Sequence, residues 1–283
     1  MISMKINLFS NILHMNMDLR LLLPADKSKP TNKASEKSPD GSLTGKSLNK
    51  TSEKAVQYPV LWLCHGGSGN ENAWLYYSTV ASLVDKEQIA MVIVNADNSC
   101  FVDMAMGPAY QSYLGKELPH LLPLIFPELS TKREENMVCG LSNGGYGCFL
   151  LGMTYPENFG YIGAFSAGDK ADASYIPAKE GEVTQRIRMF GSDDINGTVY
   201  SMREMAKEIS ESAGPFPKVY HACGSEDPWL NLNLKVKQCM EELDCEKFEY
   251  KYDQIENIGH EWAFWDEEVR RFLNYVKEHP YKA

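Results

Sequence analysis

The stretch Met137–Leu151, MVCGLSNGGYGCFLL, decides how the rest of the chain is read. It opens with a short apolar run, turns through Gly140-Leu141-Ser142-Asn143-Gly144, passes Gly145 and continues as a helical pattern. A serine bracketed by glycines between a strand and a helix is the G-x-S-x-G arrangement, in which a tight, strained turn lifts the hydroxyl clear of the backbone. The glycines are needed because a Cβ on either side would collide with the neighbouring strand or helix. The five-residue pattern alone is only moderately informative, and its strand–turn–helix context gives it weight.

Working outward, the neighbouring segments repeat the same alternation. Tyr58–Cys64 (YPVLWLC) and Ile89–Val94 (IAMVIV) are short continuous apolar runs ended by polar or glycine-rich turns, as parallel strands buried on both faces should be. Asn136–Gly140, Tyr161–Ser166, Lys218–Cys223 and Lys247–Tyr252 read as further strands, and Lys5–Ser10 with Asp18–Leu23 as a strand pair at the N-terminus. Helical patterns lie between them at Glu71–Val84, Pro108–Leu122, Gly145–Tyr155, Val199–Glu211, Leu230–Leu243 and Trp265–Glu278. Strand alternating with helix implies an α/β fold with a mostly parallel sheet and right-handed crossovers. With no internal repeat and no second boundary, residues 1–283 read as one domain.

One segment departs from the pattern. From Ala25 to Gln57 the composition shifts to Lys, Ser, Thr, Asn, Pro and Gly, which cannot offset its ordering entropy by burial and reads as a mobile insertion. Within it, Gly41–Ser47 imitates a phosphate-binding loop but has three residues between its glycines where four are needed, and no strand precedes it. Apart from the helical pattern at Val199–Glu211, the segment Asp169–Pro217 reads poorly and is a candidate cap.

Composition narrows the function. The 283 residues are 43% hydrophobic and carry a net charge of −10, from 28 Lys+Arg against 38 Asp+Glu, so no diffuse positive field draws the chain to nucleic acid or an anionic membrane. No apolar run approaches a bilayer span, and Met1–Leu23 is broken by polar residues rather than forming a signal-peptide core. Seven cysteines, odd in number and mostly in apolar segments, suit a reducing cytoplasm. Neither a CxxC pair nor an HxxxH spacing occurs, so no metal site is expected, and no cofactor is called for.

In an open α/β sheet, ligands bind beyond the carboxyl ends of the strands. Four turns there carry chemistry. Ser142 is the candidate nucleophile. His65-Gly66-Gly67-Ser68-Gly69 follows a strand and lets backbone N–H groups approach a bound oxygen. Gly224-Ser225-Glu226-Asp227 places carboxylates at the same edge, where Asp227 can orient an imidazole, with Glu226 as its competitor because adjacent extended residues point opposite ways. Gly259-His260-Glu261 supplies an imidazole able to accept and return a proton. His65 reads as structural, Asp97 and Asp103 as turn residues, and Ser166 as a strand end with no glycine elbow around it. Trp262 and Trp265 crowd the candidate base, as substrate-binding residues or as core packing of the last helix.

Taken together, LWLCHGGSGN, VNADNSCFVDM, GPAYQSYLGKELP, GLSNGGYGCFLLGMTYPENFG, GAFSAG, CGSED and GHEWAFW resemble the esterase D-like branch of the α/β-hydrolases. That branch includes tributyrin esterases, family 1 carbohydrate esterases, feruloyl esterases and S-formylglutathione hydrolases. The resemblance implies an α/β-hydrolase fold and hydrolysis of short-acyl esters, with Ser142 as nucleophile, His260 as acid and base, Asp227 as its orienter, and Gly67 and Asn143 as backbone oxyanion donors. Two positions depart from the family: Asn143 stands where Met is common, and the loop reads His-Gly-Gly rather than Ser-Gly-Leu, which argues against S-formylglutathione as substrate.

The expectation is a serine carboxylesterase acting on a small ester, with an acylated oligosaccharide as a candidate substrate. Feruloyl or cinnamoyl ester hydrolysis, or S-formylglutathione hydrolysis, is the alternative within the enzyme class, acyl transfer to a sugar a further one, and a catalytically silent carbohydrate-binding module the alternative outside it. A homo-oligomer is left open, since no surface stripe marks an interface.

Overall fold

The computed structural model describes residues 1–25, 57–171, 183–243 and 245–281. The candidate insertion, including the Gly41–Ser47 look-alike, therefore falls almost wholly outside the described residues, as do residues 172–182 of the candidate cap.

Eight strands form one sheet: β1 (Ile2–Ser10), β2 (Met15–Leu23), β3 (Val60–Cys64), β4 (Ala90–Ile93), β5 (Asn136–Leu141), β6 (Tyr161–Phe165), β7 (Lys218–Gly224) and β8 (Lys251–Ile255). Their spatial order is β1-β2-β4-β3-β5-β6-β7-β8. β1 pairs antiparallel with β2 and β2 with β4, while all pairs from β4 to β8 are parallel. The fold is that of an α/β-hydrolase.

Helices α1 (Ala73–Tyr77), α2 (Val80–Glu87) and α9 (Trp262–Glu278) belong to one face of the sheet. The other face carries α3 (Tyr110–Ser112), which runs through a π turn at Tyr113–Glu117 into α4 (Leu118–Ile125), with α5 (Asn143–Thr154), α6 (Gln185–Phe190), α7 (Met202–Glu211) and α8 (Leu230–Glu242). Strand alternation divides the core between the two. Trp62, Val138, Ile162 and Val219 pack on the α5 side, and Leu61, Leu63, Met137, Cys139 and Tyr220 on the α9 side. Both faces are apolar, so the strands read as continuous runs.

Several element boundaries differ from the sequence reading. The helix expected over 71–84 is two helices, because Asp266 of α9 accepts hydrogen bonds from the Thr79 N–H and hydroxyl, both at 2.8 Å, and so starts α2 afresh. The strand expected over 247–252 begins at Lys251: a 3₁₀ turn occupies Cys245–Phe248, and Glu249 has a positive φ of 42°. The N-terminal strands are each three residues longer than expected, and Glu117 braces their turn by accepting from the Asn11 N–H at 2.7 Å and from the Ser10 hydroxyl. Residues 183–217 contain α6 and α7, α6 having too short a pattern to show in the sequence.

β5 and the start of α5 lie against the end of β3 at very close range. A Cβ on Gly144 would lie 2.4 Å from the His65 carbonyl oxygen and 2.6 Å from that of Cys64, and one on Gly140 2.7 Å from the Cys64 carbonyl oxygen. Because the Gly144 obstacles are backbone, no side-chain rotation relieves them. Gly144→Ala is therefore expected to destabilise the fold by about 3 kcal/mol, the upper part of the overpacking range. A urea midpoint equal to that of the unmodified protein would refute this account of the close approach.

Candidate active site

The parallel strands end at one edge of the sheet, and the loops leaving β3, β5, β6 and β7 meet there with the segment preceding α9. Ser142 is the residue before α5 and has φ 56° and ψ −118°. A non-glycine residue there costs on the order of 1–3 kcal/mol and persists only where its surroundings hold it. Here the Ser142 N–H donates to the Phe165 carbonyl at 2.8 Å, and the Ser142 carbonyl accepts the Tyr146 N–H at 3.1 Å. The turn thus points the hydroxyl away from the sheet and leaves the first N–H groups of α5, Asn143 included, without acceptors in their own helix.

Asp227 sits in the turn after β7, its carboxylate fully buried, while Glu226 beside it is exposed. Asp227 Oδ2 accepts from His260 Nδ1 at 2.8 Å, and Oδ1 accepts from the Trp229 N–H at 2.9 Å. The Ser166 hydroxyl is a third donor. Burial pushes the Asp227 carboxyl upward, but these hydrogen bonds and the His260 charge outweigh it and hold the group below its ordinary value. Asp227 is therefore ionised at neutral pH, and the Nδ1–H tautomer of His260 is fixed.

Ser142, His260, Gly67 and Asn143 line a single cleft of about 460 Å³, shared with Tyr77, Trp229, Trp262 and Trp265. The rings of Trp229 and Trp265 meet the His260 imidazole edge-on, with centroids at 4.7 and 4.8 Å. Trp262 packs between Trp74 and Tyr77, both at 5.2 Å. All seven residues singled out in the sequence are thus brought together. Their spacing puts a hydroxyl, an oriented imidazole and two backbone N–H groups around one ester-sized space.

The remaining histidines at this edge have other partners. His65 is buried and donates from Nδ1 to the Gly66 carbonyl at 2.7 Å, while Nε2 accepts the Ala96 N–H at 3.1 Å. A carbonyl only accepts and an amide only donates, so both nitrogens are committed and the ring is neutral, as its burial also requires. His221 is held between Tyr250 and Asn233, at 2.9 and 3.0 Å, and burial pulls it down to about 4. Asp97 accepts from the Tyr110 hydroxyl, and Asp103 from the Ser112 N–H and hydroxyl at 2.8 and 2.6 Å.

Matched against protein families, residues 47–274 fit the model described as putative esterase. The chain belongs to this esterase family. It is a carboxylic ester hydrolase. An acetyl esterase of Caldicellulosiruptor saccharolyticus is 27% identical over 284 residues, covering 97% of this chain and 98% of that protein. Among solved structures, the substrate-bound fluorophosphonate-binding serine hydrolase FphF of Staphylococcus aureus superimposes with a TM-score of 0.80 at 22% identity, covering 97% of this chain and 98% of its own. An S-formylglutathione hydrolase, FrmB, of the same organism gives 0.76 at 22% identity, covering 97% of this chain and 98% of its own. These two likenesses establish the α/β-hydrolase fold of the esterase.

Three residues of this site carry little or no signal in the sequence. Trp229 lines the cleft 38% exposed, and its N–H binds Asp227 two residues earlier, the spacing of an Asx turn, which is the one signal available. Tyr77 had no signal. Ser166, read as a plain strand end, has a positive φ of 53° and is buried; besides serving Asp227, its Oγ accepts from Trp265 Nε1 at 3.1 Å. Trp265 is thereby anchored as a wall beside His260. Ser166→Ala removes a donor from Asp227 and the acceptor of a buried indole. It is expected to lower kcat for ester hydrolysis by on the order of tenfold or more, with KM within about twofold. Equal kcat would show that His260 and the Trp229 N–H suffice to hold the carboxylate.

Proposed function

We propose that this esterase removes short acyl groups, acetyl first among them, through an acyl-enzyme formed on Ser142. The observation that carries the reading is the buried, ionised Asp227 fixing His260 in a cleft that also holds a serine with a strained, outward-turned backbone. In this mechanism Ser142 Oγ attacks the ester carbonyl as His260 Nε2 takes its proton. The N–H groups of Gly67 and Asn143 receive the developing oxyanion, the positive end of α5 adding to their field. Collapse expels the alcohol, which takes the proton from His260, and a water activated by the same ring then releases the acid. Asp227 remains ionised throughout and stabilises the imidazolium.

Acetyl leads because the acetyl esterase relative matches the chain over nearly its whole length. An acylated oligosaccharide fits as the substrate, since Tyr77 (62% exposed) and Trp229 offer aromatic faces at the rim of the cleft, on which sugar rings stack. The same faces support a second reading, in which the cleft takes a cinnamoyl or feruloyl group. The enzyme is proposed to be one α/β-hydrolase unit of the cytoplasm. The six described free cysteines, all buried, are consistent with that compartment, and among the described residues no helix is long and apolar enough to cross a membrane.

The test is a rate panel of p-nitrophenyl acetate, butyrate and octanoate with methyl ferulate, on the unmodified protein and Ser142→Ala. Acetate or butyrate is expected to lead, with kcat reduced about 10⁴-fold to 10⁶-fold by the substitution. Stoichiometric labelling by a fluorophosphonate is expected in the unmodified protein and none in the variant. A lead by methyl ferulate selects the second reading, and turnover unaffected by Ser142→Ala rules out the triad.

A further inference from the structure

Lys170 lies in the loop that follows β6 and is buried to 1% exposure, although lysine is rarely found fully inside a protein. Burying an ammonium is costly, and an apolar side chain of the same length would fill the space without that cost. The structure shows what the charge is aimed at. Lys170 Nζ donates to Asn143 Oδ1 at 2.7 Å and sits 5.7 Å from the centre of the Tyr146 ring. The backbone of the loop is held in turn: Arg186, also buried, donates to the Lys170 carbonyl and to that of Asp193, both at 2.6 Å.

Asn143 is the residue whose backbone N–H the proposed mechanism uses. Its side-chain amide reaches across to the other donor, since a Cβ built on Gly67 would lie 3.1 Å from Asn143 Nδ2. The amide therefore bridges the ammonium on one side and the glycine loop on the other. We propose that Lys170, as an ammonium, is a positioning residue of the oxyanion hole: it pins the Asn143 amide against Gly67, and its charge acts on the two N–H donors through that amide. The inference rests on the Ser142 reading above. Fixed positive potential at the site of a developing oxyanion stabilises the transition state more than the neutral ester.

A consequence follows for pH. Among the described residues, Lys170 is faced by Asp169 of its own loop, Arg186 of α6, Cys100 of the turn after β4 and Tyr146 of α5. Burial draws Lys170 down to about 8 against the pull of Cys100 and Asp169. Burial raises Cys100 and Tyr146. The active form is the protonated one, so kcat should decline as pH rises through about 8.

The experiment measures kcat for p-nitrophenyl acetate from pH 6 to 9.5 on the unmodified protein, Lys170→Met, Lys170→Arg, Asn143→Ala and the Lys170→Met/Asn143→Ala pair. The unmodified protein should show the alkaline decline, and Lys170→Arg should abolish it. Lys170→Met should lose about tenfold at pH 7 and be flat above it, less than the hundredfold or more that follows loss of a direct donor. In the double variant the lysine change should add less than twofold to the Asn143→Ala loss. A flat profile in the unmodified protein, a decline that persists in Lys170→Met, or losses that multiply in the pair each overturn the proposal. Should Lys170→Met fail to fold, Asn143→Ala decides alone: it keeps the lysine, and the decline should vanish with the amide. An unmodified protein that neither turns over esters nor labels with a fluorophosphonate defeats the Ser142 reading itself. One that does both, with a flat alkaline profile, defeats only the role of Lys170.

Discussion

The left-handed backbone of Ser142 is the constraint from which the site is built. A serine at φ 56° is held only because β5 and α5 are clamped against β3 at backbone-contact distance, through Gly140 and Gly144, and because its N–H is tied to the end of β6. The clamp has three effects at once. It turns the hydroxyl outward, brings the positive end of a twelve-residue helix beneath it, and sets the loop after β3 beside the helix's first N–H. Strain at one residue is thus exchanged for alignment of the Ser142 hydroxyl, the helix and the loop after β3, and the energy comes from burial over the rest of the sheet.

Electrostatics at Asp227 shows a contest of two opposing effects with a definite winner. Removing a carboxylate from water favours its protonated form, and burial is the largest single influence on this group. Three hydrogen-bond donors, on His260, Trp229 and Ser166, each favour the anion and together prevail. The donors come from the segment before α9, from the turn holding Asp227 itself, and from the end of β6. The charge state of the acid therefore depends on correct assembly of the C-terminal half of the sheet. Ser166 also carries the Trp265 indole, so the wall beside His260 and the anion behind it share one hydroxyl.

How much of this was legible in the sequence follows from the range of the interactions involved. Buried parallel strands announce themselves locally, as at Tyr58–Cys64 and Ile89–Val94, because both faces must be apolar. The G-x-S-x-G turn and the chain order Ser142, Asp227, His260 are local signals too. Features set by distant partners were not legible. The break between α1 and α2 depends on Asp266, 187 residues beyond Thr79. The late start of β8 depends on a positive φ at Glu249, which its residue type does not suggest. Asp227 could be ranked above Glu226 only by analogy, and burial now separates them. Ser166 and Lys170 sit in a loop whose residues are individually ordinary, and only the folded chain shows that one reaches Asp227 and the other Asn143.

Hydrogen-bond accounting also explains why one imidazole among three near the same sheet edge is suited to catalysis. His65 and His221 each have both ring nitrogens engaged by the protein and are held neutral by burial, so neither has a lone pair or proton to offer a substrate. They are structural fasteners, His65 joining the loop after β3 to the turn after β4, and His221 joining β7 to α8. His260 has Nδ1 committed to a carboxylate, and its ring lines the cleft between two tryptophan edges. Indole walls have no acceptor for that nitrogen. In the proposed mechanism its exchange of protons is thus left to Ser142, to the leaving alcohol and to water, the three species that ester hydrolysis requires.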